Sequence, residues 1–262
     1  MTPEPLAPPP DFPAAAAALG LEFDPGDPER LGRYLALLLE ANRSFNLTAI
    51  TDPATAWERH ILDSLTLLPL LAELSEGSRV IDVGSGGGLP GVPLAITMPA
   101  LRFTLLEATG KKADFLRRVA EELGLSNVDV IQGRAERLGN DRGALVAGPA
   151  GSRAPGHRDA YDAVIARAVG RLATIVELCA PLARVGGRIL LIKGQKADEE
   201  LVEAAGAIKL LRVEHEETRN TPTGRIVILT KPAQTPRMYP RPDGEPKRAP
   251  LGARGPVSGL SA

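Results

Sequence analysis

Asp82, Gly84, Gly86 and Gly88 alternate through Arg79-Val80-Ile81-Asp82-Val83-Gly84-Ser85-Gly86-Gly87-Gly88-Leu89-Pro90-Gly91. The chemistry this spacing offers is ligand binding rather than bond making. Glycine has no Cβ, so the backbone turns sharply and brings its N–H groups close to a ligand. An apolar run ending in glycines reads as a buried parallel strand followed by a loop. Residues 92–98 read as the first turns of a helix, whose N-terminus favours an anionic group. Glu107 closes the next apolar run, 102–106. An acid about 20 residues beyond such a loop faces the same crevice and accepts hydrogen bonds from ribose hydroxyls. The pattern predicts a nucleotide-like ligand.

A dinucleotide loop reads Gly-x-Gly-x-x-Gly, and Leu89 stands where its third glycine belongs. No Gly-Lys-Ser/Thr follows, which removes a phosphate loop of the Walker type. Asp-x-Gly-x-Gly-x-Gly is matched fully by Asp82, Gly84, Gly86 and Gly88. With Glu107 downstream, this favours S-adenosyl-L-methionine over a nicotinamide dinucleotide. The Asp82 carboxylate is expected to cap N–H groups of the loop. Ligands of open α/β sheets lie beyond the carboxyl ends of the strands. Gly84, Glu107, Ala135-Glu136 and Arg167, each at such an end, should therefore ring one crevice.

The elements that position these residues alternate along the chain. Two helices come first. Asp27-Pro28 and Asp52-Pro53 supply an N-cap and a proline at the first helical position of each. Leu31, Tyr34, Leu35, Leu38 and Leu39 share one face of the first. Trp57, Ile61, Leu65 and Leu68 share a face of the second, with His60, Asp63 and Ser64 on another side. From residue 79 onward strands at 80–83, 102–106, 128–131, 161–166 and 188–192 are interleaved with helices at 111–123, 171–183 and 198–205. Strands at 208–216 and 225–231 should pair antiparallel through Pro222-Thr223-Gly224. Repeated βαβ units imply a mostly parallel sheet covered on both faces.

The chain is divided accordingly. Residues 27–75 are N-terminal helices packed on a core domain, 76–232, with a loop insertion at 139–160. Prolines crowd residues 1–26 and 233–262, and both tails are expected to be disordered. Composition narrows the rest. With 262 residues, 44% of them hydrophobic and 24% charged, the chain can bury a sizeable core. No apolar run reaches the roughly 20 residues of a membrane helix. Met1 to Pro10 contains no basic segment followed by an apolar one, so no secretory signal is expected. The single cysteine, Cys179, excludes an internal disulfide and suits a cytoplasmic protein. His60, His157 and His215 are scattered, and no zinc-ligand spacing exists. A formal charge of −1 argues against binding that relies on phosphate contacts alone.

Three readings remain open on residues alone: a methyltransferase acting on RNA, one acting on a small molecule or protein, and a non-enzymatic nucleotide-binding regulator. The motifs narrow them. Asn46-Leu47-Thr48, Arg59-His60-Ile61-Leu62-Asp63-Ser64-Leu65, the loop with Leu89-Pro90-Gly91, Leu105-Leu106-Glu107-Ala108, Lys111-Lys112, Phe115-Leu116, Arg134-Ala135-Glu136, Ile165-Ala166-Arg167-Ala168 and Lys193-Gly194 are all present. Together the chain resembles the small-subunit ribosomal RNA methyltransferase G family, also called glucose-inhibited division protein B, over roughly 30–231. The resemblance implies a class I S-adenosylmethionine-dependent methyltransferase fold, Rossmann-like and seven-stranded, with an N-terminal helical extension. It implies methylation of N7 of one guanine in 16S ribosomal RNA, with the RNA or the small ribosomal subunit as partner. It also implies S-adenosyl-L-methionine as donor, S-adenosyl-L-homocysteine as product, and cofactor contacts at Gly84, Leu89, Ala135, Glu136 and Arg167. No metal is expected, and a monomer is the default.

Guanine N7 carries a lone pair and no proton, so the transfer needs alignment rather than a general base. Arg167 is the residue expected nearest the transfer, orienting cofactor, guanine O6 or phosphate through its planar fork. His60 and Asp63, one turn apart, are expected to hydrogen-bond each other and brace the helix, or else to reach the RNA. Lys111, Lys112, Arg117, Arg118, Arg43, Arg59 and Lys193 are candidates for an RNA-facing surface. Aromatic residues make up only 3% of the chain, which fits recognition of folded RNA by shape and phosphate better than base stacking.

Overall fold

A computed structural model describes residues 3–143, 156–167 and 170–252. The chain enters through α1 (Phe12–Ala18) and α2 (Asp27–Asn42), then α3 (Pro53–Ala56), a π-helical stretch (Trp57–Leu62), α4 (Asp63–Leu65) and α5 (Leu68–Leu71). Alternation follows: β1 (Arg79–Val83), α6 (Gly91–Thr97), β2 (Arg102–Glu107), α7 (Gly110–Glu122), β3 (Val128–Gln132), α8 (Ala135–Leu138), β4 (Tyr161–Arg167), α9 (Leu172–Cys179) and β5 (Ala183–Lys193). Then come α10 (Ala197–Glu203), α11 (Ala205–Leu211), the hairpin β6 (Glu214–Asn220) and β7 (Arg225–Thr230), and α12 (Glu245–Arg248).

The sheet order is β3-β2-β1-β4-β5-β7-β6, with β7 antiparallel to both neighbours and the other pairs parallel. Strand order reverses between β1 and β4, so their carboxyl ends open the crevice where ligands of such sheets sit. Successive strand residues point to opposite faces. Val80, Leu105, Ile165 and Ile228 thus join α2, the π-helical stretch, α6 and α7 in one core, and Ile81, Leu106, Val164 and Val227 join α9 and α11 in another. Both faces of the central strands β1, β2, β4 and β7 are covered, which is why these strands read as continuous apolar runs, whereas the edge strands β3 and β6 stay partly exposed.

Three expectations need correction. From residue 3 onward the N-terminal tail is packed on the core: Phe12 sits edge-on against Trp57 at 4.7 Å, and the Leu6 N–H donates to the Gly32 carbonyl at 3.1 Å. A side chain at Gly32 would collide with the Leu6 carbonyl. Buried Phe12, Ala16 and Leu21 outweigh the prolines that suggested disorder. The C-terminal tail is likewise packed as far as Gly252, for a polar reason. Arg158, with its side chain only 5% exposed, donates to the carbonyls of Gly139, Tyr239 and Thr235, so the proline-rich backbone is satisfied without a sheet or helix. Residues 253–262 and most of the expected 139–160 loop lie outside the described residues. Finally, residues 208–211 close α11 rather than open a strand; Arg212, at φ 58, ends the helix and β6 begins at Glu214.

Cap geometry splits the two Asp-Pro signals. Asp52 accepts from the Thr55 N–H at 2.8 Å, a true N-cap. Asp27 lies inside α2, and Gly26 holds the cap position.

Candidate functional site

The glycine loop joins β1 to α6, and its three alternate glycines have φ of 75° (Gly84), 57° (Gly86) and 99° (Gly88). Other L residues rarely enter this left-handed region. A Cβ on Gly88 would press on Val92 at 2.6 Å, whereas one on Gly86 would meet only the Gly84 carbonyl, at 3.8 Å. Gly86 therefore faces open space, and Gly88 faces the core. Leu89 is also turned inward and buried.

Most of the loop's N–H groups are bonded within the protein. Those of Gly84 and Ser85 donate to the Leu106 carbonyl, and those of Gly88 and Leu89 to the Ser85 carbonyl. The Gly86 N–H donates to Glu107 Oε2 at 3.0 Å, and the Gly91 N–H, at the head of α6, to Asp82 Oδ2 at 3.0 Å. The anion at the helix N-terminus is the protein's own Asp82. With most of its N–H groups bonded in this way, little of the loop is left to act as a phosphate cradle. Asp82 caps as expected. It is fully buried, its Oδ1 has no partner among the described residues, and desolvation pushes its pKa up to about 7.

Glu107 ends β2, 8% exposed, with Oε1 accepting from the Thr109 N–H at 2.7 Å. Each of its oxygens holds one backbone donor and keeps acceptor capacity for another. Beyond it a cavity of about 700 Å³ is lined by Val83, Gly84, Ala108, Ala135, Glu136 and Arg171, among others. Gly84, Ala135 and Glu136 are thus brought together. Glu136 accepts from Arg134 at 3.0 Å and from the Gly244 N–H at 2.8 Å. Burial raises its pKa, but these two donors outweigh that and hold it below the usual carboxylate range.

Arg167 does not line that cavity. It turns into a neighbouring one of about 280 Å³, shared with Arg59, His60, Asp63, Lys193 and Thr223. Its guanidinium donates to Asp63 Oδ2 at 3.0 Å, to the Arg59 carbonyl at 2.9 Å, and to His60 Nδ1 at 3.4 Å. The other Asp63 oxygen accepts from the Thr223 hydroxyl. Because Arg167 only donates, Nδ1 must accept, which places the proton on His60 Nε2, 2.7 Å from Thr48 Oγ1. Burial, then the Arg167 charge, lowers the His60 pKa from 6.5 to about 4, so the ring is neutral. His60 and Asp63 do not bond each other; both are tied to Arg167. The π-helical stretch carries His60 and ends just before Asp63, and such widened turns recur at functional sites.

Several residues gained their place only in three dimensions. Tyr34, an apolar-face residue by spacing, sends its hydroxyl to the Gly87 carbonyl at 2.8 Å and pins the loop to α2. Thr223, in the hairpin turn, reaches Asp63 across the sheet; only its place in a turn hinted at exposure. Lys193 leaves the expected RNA-facing set: its amine is paired with Glu200 at 2.9 Å and with the Gly170 carbonyl at 2.7 Å.

Sheet order, switch-point loop and strand-end acid define a class I S-adenosylmethionine-dependent methyltransferase. Solved structures share the fold: a putative S-adenosyl-L-methionine-dependent methyltransferase of Methanococcus maripaludis (12% identity, 69% of this chain and 90% of that one, TM-score 0.51) and a cofactor-bound protein from MTB (19% identity, 86% and 98%, TM-score 0.51). A family model described as rRNA small subunit methyltransferase G matches residues 27–227. The chain belongs to this family. Curated relatives named Ribosomal RNA small subunit methyltransferase G include those of Sorangium cellulosum, 51% identical over 90% of this chain and 93% of its own, and Roseiflexus castenholzii, 42% identical over 90% and 97%.

The residues present fit S-adenosylmethionine. Most of the loop's N–H groups are bonded within the protein, which suits a ligand without phosphates, and Gly86 leaves room for it.

Proposed function

We propose that the chain transfers a methyl group from S-adenosyl-L-methionine to N7 of one guanine in 16S ribosomal RNA, acting in the cytoplasm as a monomer. The observation that carries the reading is the pair of adjoining cavities, one lined by Gly84, Ala135 and Glu136, the other by Arg167, Asp63 and His60, in a chain of this family. When bound, the cofactor supplies a methyl group activated by its sulfonium.

The chain's own residues hold and orient. Gly84, Gly86 and Gly88 give the loop its curvature, and Leu89 anchors it in the core. Glu107 keeps lone pairs for ribose hydroxyls, while Ala135 and Glu136 wall the cavity beyond β3. Arg167, held by Asp63, presents donors suited to the acceptor edge of guanine. His60, neutral and bonded at both nitrogens, is not free to act as a base, and N7 needs none. A cation beside a ring that gains positive charge would not stabilise it, so the role of Arg167 is positional. Arg43, Arg59, Lys111 and Lys112 remain candidates for phosphate contact.

Incubating the protein with unmethylated small-subunit RNA or particles and methyl-labelled cofactor tests the reading. Label recovered as N7-methylguanosine from one site is expected. Label absent from the RNA, with cofactor bound normally, would overturn the substrate assignment.

A further inference from the structure

The C-terminal segment, expected to be a tail, crosses the larger cavity. Pro246, Lys247, Arg248 and Pro250 line it opposite Gly84 and Ala108. Four anchors hold the segment there. Arg241 clasps Glu177, a fully buried carboxylate on α9, at 2.9 and 2.6 Å, and also donates to the Ala249 carbonyl at 2.8 Å. The Thr174 hydroxyl donates to the Pro246 carbonyl at 3.1 Å. Arg137 pairs with Asp243 at 2.8 Å. The Gly244 N–H donates to Glu136, the same carboxylate that lines the cavity.

We infer that residues 241–250 form the outer wall of the cofactor cavity and position it through Glu136 and Glu177. The inference rests on the cofactor assignment above. A buried carboxylate such as Glu177 is costly unless paired, and the Arg241 fork satisfies both of its oxygens. That makes α9 a firm base for the segment. Glu136 is then shared: one backbone donor from the wall and one from Arg134 fix its carboxylate. Anything that fills the cavity presses on α12, and anything that loosens α12 frees Glu136. Cofactor binding and wall order are therefore linked, and each should strengthen the other.

Hydrogen exchange on the full chain, with and without S-adenosylhomocysteine, tests this. The ligand should slow exchange at least tenfold both in 84–91 and in 241–250. The charge-neutral pair Arg241→Gln with Glu177→Gln should raise the dissociation constant for S-adenosylhomocysteine about tenfold. Its KM for the cofactor should rise while its KM for RNA stays put, a split that general destabilisation would not produce. Thr174→Val, which deletes one hydroxyl bond and keeps the fold, should shift affinity in the same direction by a smaller factor. Protection of 84–91 without protection of 241–250, and unchanged affinity in both variants, would overturn the wall. No protection of either segment would instead refute the cofactor assignment on which it rests.

Discussion

The two cavities differ in how much of their wall is made of small residues. The larger sets Gly84, Gly133, Gly170, Ala108, Ala135, Pro246 and Pro250 beside charged side chains at Arg134, Glu136, Arg171, Lys247 and Arg248, and most N–H groups of its glycine loop are bonded within the protein. The smaller is lined by polar side chains that hold one another, Arg167, Asp63, His60 and Thr223, with Lys193 beside them. A cavity shaped by backbone fails when volume is added. A cavity shaped by a charge network fails when one partner is taken away. Substitutions can therefore separate binding of the cofactor from handling of the acceptor.

The largest effect is expected at Arg167. Arg167→Ala should lower kcat on the order of 100-fold and leave the affinity for S-adenosylhomocysteine within a factor of two or three, read by calorimetry beside a methyl-transfer assay. A parallel loss of cofactor affinity would merge the two cavities into one function. Gly86→Val should do the reverse. Its Cβ meets no protein atom closer than 3.8 Å, so the folded chain bears only the left-handed backbone cost of about 1–2 kcal/mol. Cofactor affinity should fall more than tenfold, and wild-type affinity would remove the loop from the site.

Asp63→Asn should come next. Its side chain is 10% exposed and that of Arg167 is 15%, so leaving a nearly buried cation without its counter-charge should cost about 3 kcal/mol of stability. Thermal unfolding reports this, and Arg167→Ala in the same background should recover part of it. The pH response is subtler. The folded-state pKa of His60 is about 4, below its ordinary 6.5, so between those values the unfolded chain binds more protons. The His60 contribution to stability accordingly grows as pH rises from about 4 to 6.5 and is lost on acidification. Asp82 runs the other way. Its folded pKa is about 7, above the ordinary carboxylate range, so its contribution is complete at low pH and is lost as pH rises through 7. Comparing melting curves of His60→Gln and Asp82→Asn with wild type across pH 4–8 separates the two slopes. The smallest effect is expected at Tyr34, where Phe removes one buried hydroxyl bond to the loop, worth about 1 kcal/mol.

Much of the first cavity was legible before any coordinates. Glycine at positive φ leaves a mark in sequence because other residues pay for that conformation, so Gly84, Gly86 and Gly88 point to a loop by type alone. Glu107 was legible because strand length fixes where an acid must fall. The second cavity was only partly so. Arg167 stood out at a strand end, but its partners come from 104 to 108 positions away, and no local spacing encodes that. His60 and Asp63 looked like a pair because a regular helix would stack them; the π-helical stretch and Arg167 separated them. The tails were misread for a related reason. Proline content reports backbone stiffness, whereas Arg158, Arg241 and Glu177 decide where that backbone is held, and each acts on residues more than 60 positions distant.

By itself, then, the sequence determined the alternating core, the glycine loop with its acid, and membership of an rRNA methyltransferase family, because each is written in residue type at short range. Tertiary structure alone decided that most of the loop's N–H groups bond within the protein, that Arg167 faces a second cavity, and that the C-terminal segment lines the first. Those outcomes depend on which buried charges and carbonyls meet across the sheet, and burial makes an unpaired one too costly to leave.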